Sequence, residues 1–443
     1  MSTTRRIPFG SSEITVSIPD RFTVFDLKPD QPTAHPDPAA LARERVTQPI
    51  GSSRLAELAR GATSVVIAVT DATRACPDHI LLPPMLAELE SAGLRADQVT
   101  IVVAVGTHRP STEAEKRAKL GDAICDRYMV IDHDPYDPDQ LVTVYEHDSR
   151  VPFRINRRAV EADILIATGI VEPHQYAGYS GGGKTIAIGC ANEAVIEYTH
   201  GPALLDHPGT RLARIEGNPF QRAVREVARR AGLDFVANVV KNTDGGVVDI
   251  RYGAPEAVHD SLAALASTFM TAPLPHQVDV AIAGVPAPKD ANLYQSSRAA
   301  SYLQFAPVPV VRPGGTIIVP SACPEGIGEG TGEQRFGVAM RHPGGANAIL
   351  EEARRNGIRA GAQRAYVMAQ VLQSVDVVVA RAIDPGAISG LGFGTSPTVE
   401  AALDHVLDAS PGKEHLSLLV APYALQVLPI VPDPALTPSG DRR

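Results

Sequence analysis

Apolar residues gather in short β-branched runs separated by stretches of helical spacing, and this alternation sets the expected architecture. Strands are predicted at 13–18 and 22–27, followed by a Pro-rich connector over 28–50 with one helical turn around 39–45. A regular cycle follows: strand 64–70, helix 79–92, strand 99–106, helix 112–120 and strand 162–170. Helix 218–231, with Phe220, Val224 and Val227 at helical spacing, and helix 255–270 complete it. The prolines of Thr271-Ala272-Pro273-Leu274-Pro275-His276 break the pattern and place a domain boundary there. A second cycle runs through strand 278–284, helix 292–305, strand 308–319, helices 346–356 and 362–373, strand 375–380, helix 397–409 and strand 416–422. The expectation is two α/β domains with mainly parallel sheets, one over 1–272 and one over 273–428, and a polar tail over 429–443.

Length agrees with this, since 443 residues make two domains at roughly 100–200 residues each. The net charge of −9 has the wrong sign for holding a phosphate backbone, so nucleic acid is not an expected partner. The four cysteines, Cys76, Cys125, Cys190 and Cys323, form no C-x-x-C pair and suggest neither a zinc knuckle nor a disulfide framework. The longest apolar runs are strand-sized and the first residues carry no apolar h-region. A cytoplasmic protein without a membrane segment is the expectation.

Three loops directly follow predicted strands of the first domain, where open α/β sheets place ligands. They carry Asp71-Ala72-Thr73-Arg74, Thr107-His108-Arg109 and Val171-Glu172-Pro173-His174, the last leading into Ser180-Gly181-Gly182-Gly183-Lys184. Alone, an Asp after a strand reads as a helix cap and a loop His as a solvated side chain. Together the three loops converge on one sheet edge if their strands are neighbours. The segment from Gly178 to Thr185 formally satisfies G-x-x-x-x-G-K-T, but seven residues separate it from its strand, which a phosphate-binding P-loop does not allow. What the glycines offer is close backbone approach and N–H groups for an anion, with Lys184 beside the ligand. His200 adds a third imidazole to His108 and His174, whose intervals match no zinc pattern. A P-loop-like nucleotide-dependent enzyme or a metal-dependent hydrolase remains the alternative on these residues.

The set Asp71-Ala72-Thr73-Arg74, Gly106-Thr107-His108-Arg109, Glu172-Pro173-His174, Gly181-Gly182-Gly183-Lys184 and His200 resembles lactate racemase and its homologues. Asn292-Leu293-Tyr294-Gln295-Ser296 and Cys323-Pro324-Glu325-Gly326-Ile327-Gly328 extend the likeness into the second domain. The resemblance implies a 2-hydroxyacid racemase or epimerase that uses a nickel-pincer nucleotide, made by upstream cofactor-synthesis enzymes, with its active site in the interdomain cleft. His200 would be the protein ligand to nickel, and Lys184 would tether the cofactor. Asp71, Thr73, Arg74, Gly181, Gly182 and Gly183 would contact it. His108 and His174 would be the acid/base pair, taking and returning the hydroxyl proton while hydride leaves and returns through a 2-keto acid. Arg74, Tyr294, Gln295 and Arg298 would bind the substrate. Arg298 stands where the family has lysine and the chain has no Trp, whereas lactate racemase lines its pocket with one; the expected substrate is therefore a small 2-hydroxy acid other than lactate.

Overall fold

The computed structural model describes residues 3–27, 30–146 and 151–433. It divides into two compact units, one formed by Gln31–Phe269 and the other by the segments before and after it.

The Gln31–Phe269 unit is built on a six-stranded sheet in the order Val247–Gly253, Leu233–Lys241, Ile164–Ile170, Val65–Thr70, Val99–Ala104, Met129–Asp132. All neighbours are parallel except the first pair, a hairpin. The central strands are apolar throughout, as parallel strands covered on both faces must be. One core face packs Ile67, Val69, Ile101, Val103 and Ile166 against Leu82, Met85 and Leu89 of the Asp78–Ser91 helix. Pro83 and Pro84 lie inside that helix, where neither supplies a backbone N–H to the carbonyl one turn before it.

The other unit holds a fully parallel sheet in the order Gly394–Ser396, Asp376–Ala380, Val311–Pro320, Val278–Ala283, Leu416–Ala421, Phe22–Asp26. Here the expected boundaries are corrected. Residues before 31 were assigned to the first domain, yet the Phe22–Asp26 strand pairs with Leu416–Ala421 and the Thr3–Gly10 strand with Val285–Pro286. Ile7, Val16, Ile18 and Phe22 bury their side chains in the core formed by Val280, Leu418 and Leu403, which supplies the apolar contacts that decide the assignment. The segment at the expected boundary and the start of the expected tail are both built into this unit. Thr271–Pro273 and Leu428–Ile430 are strands that pair with each other in parallel, and Ala272, Leu274, Leu428 and Val431 are buried. From 434 onward the expected tail lies outside the described residues.

Most predicted helices and strands are found within a few residues of their expected ends. The helix expected over 292–305 is two, Leu293–Ser296 and Arg298–Gln304, joined at Ser297. The Thr3–Gly10, Met129–Asp132, Leu233–Lys241 and Val247–Gly253 strands and the Thr331–Met340 helix were not predicted. No helix among the described residues is long and apolar enough to cross a membrane.

Candidate functional site

The chain leaves the Val65–Thr70 strand for Val99–Ala104 on one side and later returns to Ile164–Ile170 on the other. Between the carboxyl ends of such strands lies the crevice where open α/β sheets bind ligands. All three singled-out loops start from these ends.

Asp71 follows the first strand. It is 5% exposed, with Oδ2 2.6 Å from His108 Nδ1 and Oδ1 accepting from the Thr73 hydroxyl at 2.7 Å. Burial pushes its carboxyl up, but the bonds from His108 and Thr73 and the Arg74 charge outweigh it and hold it below the usual range. An ionised Asp71 accepts from the Nδ1–H of His108, which leaves Nε2 with a lone pair, while half of the ring stays open to solvent. The two oxygens of Asp71 are engaged by His108 and Thr73.

His174 sits on a tight hairpin that pairs Pro173–His174 with Gly178–Tyr179. Gly178 has φ +75°, and a Cβ there would lie 2.1 Å from the Arg214 carbonyl oxygen, so the turn requires glycine. The turn directs the Tyr176 and Ala177 amides at His174 Nδ1, at 3.2 and 3.1 Å. Nδ1 therefore accepts, the ring proton resides on Nε2, and Nε2 meets Lys184 Nζ at 2.7 Å.

His200 ends the Glu193–Thr199 helix, 9% exposed. Its Nδ1 lies 3.1 Å from the Ile196 carbonyl, to which it donates, leaving Nε2 as the lone pair. Burial pushes its pKa down to about 3, so the ring is a neutral donor. The rings of Tyr176 and Phe220 contact both His174 and His200 at centroid distances of 5.1–6.3 Å and bring the two histidines together.

The glycine run serves the fold first. A Cβ on Gly181 would come within 2.7 Å of Val171, and one on Gly183 within 2.5 Å of Ala228. The Gly182 N–H was expected to face an anion; it donates to Asn238 Oδ1 at 2.7 Å. Asn238, fully buried on the Leu233–Lys241 strand, was missed by sequence reasoning because nothing local distinguishes it. The P-loop alternative also meets an obstacle in Thr185, whose hydroxyl is buried and donates to the Thr168 carbonyl at 2.7 Å. Among the described residues no three His, Cys, Asp or Glu side chains gather as a metal cage, the three histidines included. Arg74 is exposed beside Asp71, whereas Arg109 is occupied by Glu115 at 2.6 Å.

Tyr294, Gln295 and Arg298 belong to the other unit. Asn292 caps the Leu293–Ser296 helix by accepting from the Gln295 amide and is itself tied to Glu325 and Glu333. Arg298 reaches Gln295 Oε1 and the Tyr302 hydroxyl at 3.5 Å, and Tyr294 packs edge-on to Phe336. Arg364, a buried cation 5.8 Å from the Tyr294 ring, was not predicted; its only trace in the sequence is one arginine opening an apolar helix.

The lactate racemase N-terminal domain family matches residues 9–213. The chain is 30% identical over 351 residues to lactate racemase of Thermoanaerobacterium thermosaccharolyticum, covering 79% of this chain and 81% of that one. It is 31% identical over 325 residues to that of Lactiplantibacillus plantarum, covering 73% and 75%. The apoprotein structure of the Thermoanaerobacterium enzyme superposes with a TM-score of 0.83 at 26% identity, over 97% of this chain and all of that one. Strand-end histidines on a parallel sheet, likeness over most of the sequence and a shared fold together make this chain a member of the lactate racemase family, and hence an isomerase.

Proposed function

We propose that this racemase interconverts the enantiomers of a small 2-hydroxy acid with the help of a nickel-pincer nucleotide. One observation carries the reading: His108 and His174, on the loops after two separate strands, each have Nδ1 engaged by the protein, which orients both rings. Asp71 accepts from His108 Nδ1 and leaves its Nε2 as a base, while the Tyr176 and Ala177 amides hold the His174 ring in place. Racemisation needs that pair, because the hydroxyl proton is removed on one face of the planar keto acid and returned on the other.

The donor set fits the cofactor. His200 offers a single neutral Nε2 with its other nitrogen fixed by a carbonyl, the arrangement of a histidine metal ligand. With no protein cage among the described residues, the remaining ligands would come from the cofactor. Lys184, beside His174, would tether it. When bound, this group would supply the acceptor for the hydrogen on the substrate carbon, as hydride. Arg74, Tyr294, Gln295 and Arg298 would bind the carboxylate, and Arg298 in place of lysine favours an acid other than lactate. Protein produced together with the cofactor-synthesis enzymes should contain nickel and racemise at least one acid in a chiral screen of 2-hydroxy acids. Nickel-free protein, or no inversion of any acid by loaded protein, would overturn the reading.

A further inference from the structure

One of the two amides that hold His174 belongs to a peptide gripped from its other edge. The Tyr176–Ala177 peptide presents its N–H to His174 Nδ1 at 3.1 Å, and its carbonyl accepts from Asn218 Nδ2 at 2.8 Å. In a planar trans peptide the C=O and N–H point in opposite directions, so fixing one aims the other. Asn218 stands far along the chain from His174 and is 2% exposed.

Both polar atoms of the Asn218 side chain are fully used. Oδ1 accepts from the Phe220 and Gln221 amides at 2.9 and 3.2 Å and so caps the Pro219–Arg230 helix. Nδ2 gives its second hydrogen to the Arg214 carbonyl at 2.9 Å, the group packed against Gly178 of the hairpin. The Ala213 amide donates to the Gly178 carbonyl at 2.9 Å from a backbone in the left-handed region, φ +54°, which a residue with a β-carbon keeps only where its surroundings hold it. Two positions after Asn218, the fully buried Phe220 meets the rings of both His174 and His200.

We infer that Asn218 is a positioning residue for His174. A helix cap needs only an oxygen, which serine or aspartate supplies as well. What asparagine adds is a pair of N–H donors, and both are directed at the segments that shape the His174 hairpin. The relay from Asn218 Nδ2 through the Tyr176–Ala177 peptide to His174 Nδ1 fixes where the ring stands. Its effect on turnover rests on the proposed role of His174 at the substrate hydroxyl.

Asn218→Ser tests this, because it keeps a capping oxygen and removes both donors. In the full chain without nickel, hydrogen exchange read by mass spectrometry should quicken roughly tenfold or more over residues 173–179, with the protection of 219–230 and cooperative unfolding retained. Asn218→Asp, of equal size and also a capping residue, should loosen the same segment. In protein loaded with nickel and cofactor, Asn218→Ser should lower kcat roughly 10- to 100-fold with KM within about twofold and nickel content unchanged, because a displaced imidazole impairs the proton step while substrate binding persists. Unchanged exchange over 173–179 in both variants, a loss of protection confined to 219–230, or full kcat in a variant whose hairpin has loosened would overturn the proposal. A loaded parent that racemises nothing would count against the proposed function instead, and the exchange result would still decide whether Asn218 holds the hairpin.

Discussion

At the scale of single residues, the site's chemistry is a matter of which nitrogen carries the proton. Asp71→Asn keeps the shape but offers His108 an amide in place of a carboxylate. The imidazole loses the partner that holds its tautomer and stabilises its charged form. Turnover should fall by roughly 10²–10⁴-fold with nickel retained, as read from kcat and metal analysis. The same carboxylate contributes to stability with a definite sign. Its folded pKa lies below the unfolded value, so the contribution is complete above about pH 4 and lost as pH falls through the folded value. The difference in Tm between the parent and Asp71→Asn should therefore be constant above about pH 5 and shrink below it. His200→Ala should behave differently from His108→Ala and His174→Ala. The first should lose nickel together with activity, the other two activity alone, and nickel retained in His200→Ala would remove it from the coordination sphere.

At the scale of elements, loops are held by interactions that no short motif announces. Lys119, from the Glu113–Leu120 helix, reaches into the loop after Asp71. Its Nζ lies 2.9 Å from Asp78, which is fully buried, and donates to the carbonyls of Arg74 and Cys76. Lys119→Met leaves that buried carboxylate without its cation. It should cost about 3–5 kcal/mol in denaturant unfolding and loosen the loop that presents Arg74. The His174 hairpin depends on backbone geometry in the same way. Gly178→Ala combines a positive φ with a Cβ driven into the Arg214 carbonyl, and a loss of at least about 2 kcal/mol is expected. The glycine requirement at 178 was legible as turn chemistry. Its partner Arg214, 36 positions on in the sequence, was not.

At the scale of the whole molecule, the chain order does not match the unit order. The first thirty residues complete a sheet whose other strands lie beyond residue 277. Removing residues 1–30 should strip Ile7, Val16, Ile18 and Phe22 from that core and expose the Leu416–Ala421 edge. The shortened chain is expected to aggregate. Residues 31–269 produced alone should instead unfold cooperatively, by circular dichroism, because their sheet needs no strand from outside. Loss of cooperative unfolding in the 31–269 fragment would contradict this.

Local chemistry let the sequence by itself determine most of the strands and helices, because hydrophobic period and turn residues act over a few positions. It also placed the candidate residues His108 and His174 on loops after parallel strands, which are the ligand side of such sheets. Only the tertiary structure decided that Asp71 orients His108, that two amides fix the His174 ring and that Asn238 occupies the Gly182 N–H. It also decided that residues 3–27 belong with the C-terminal half. Each of these depends on an atom many residues away, and a hydrogen bond or a strand pairing between distant segments leaves no periodic trace in either of them.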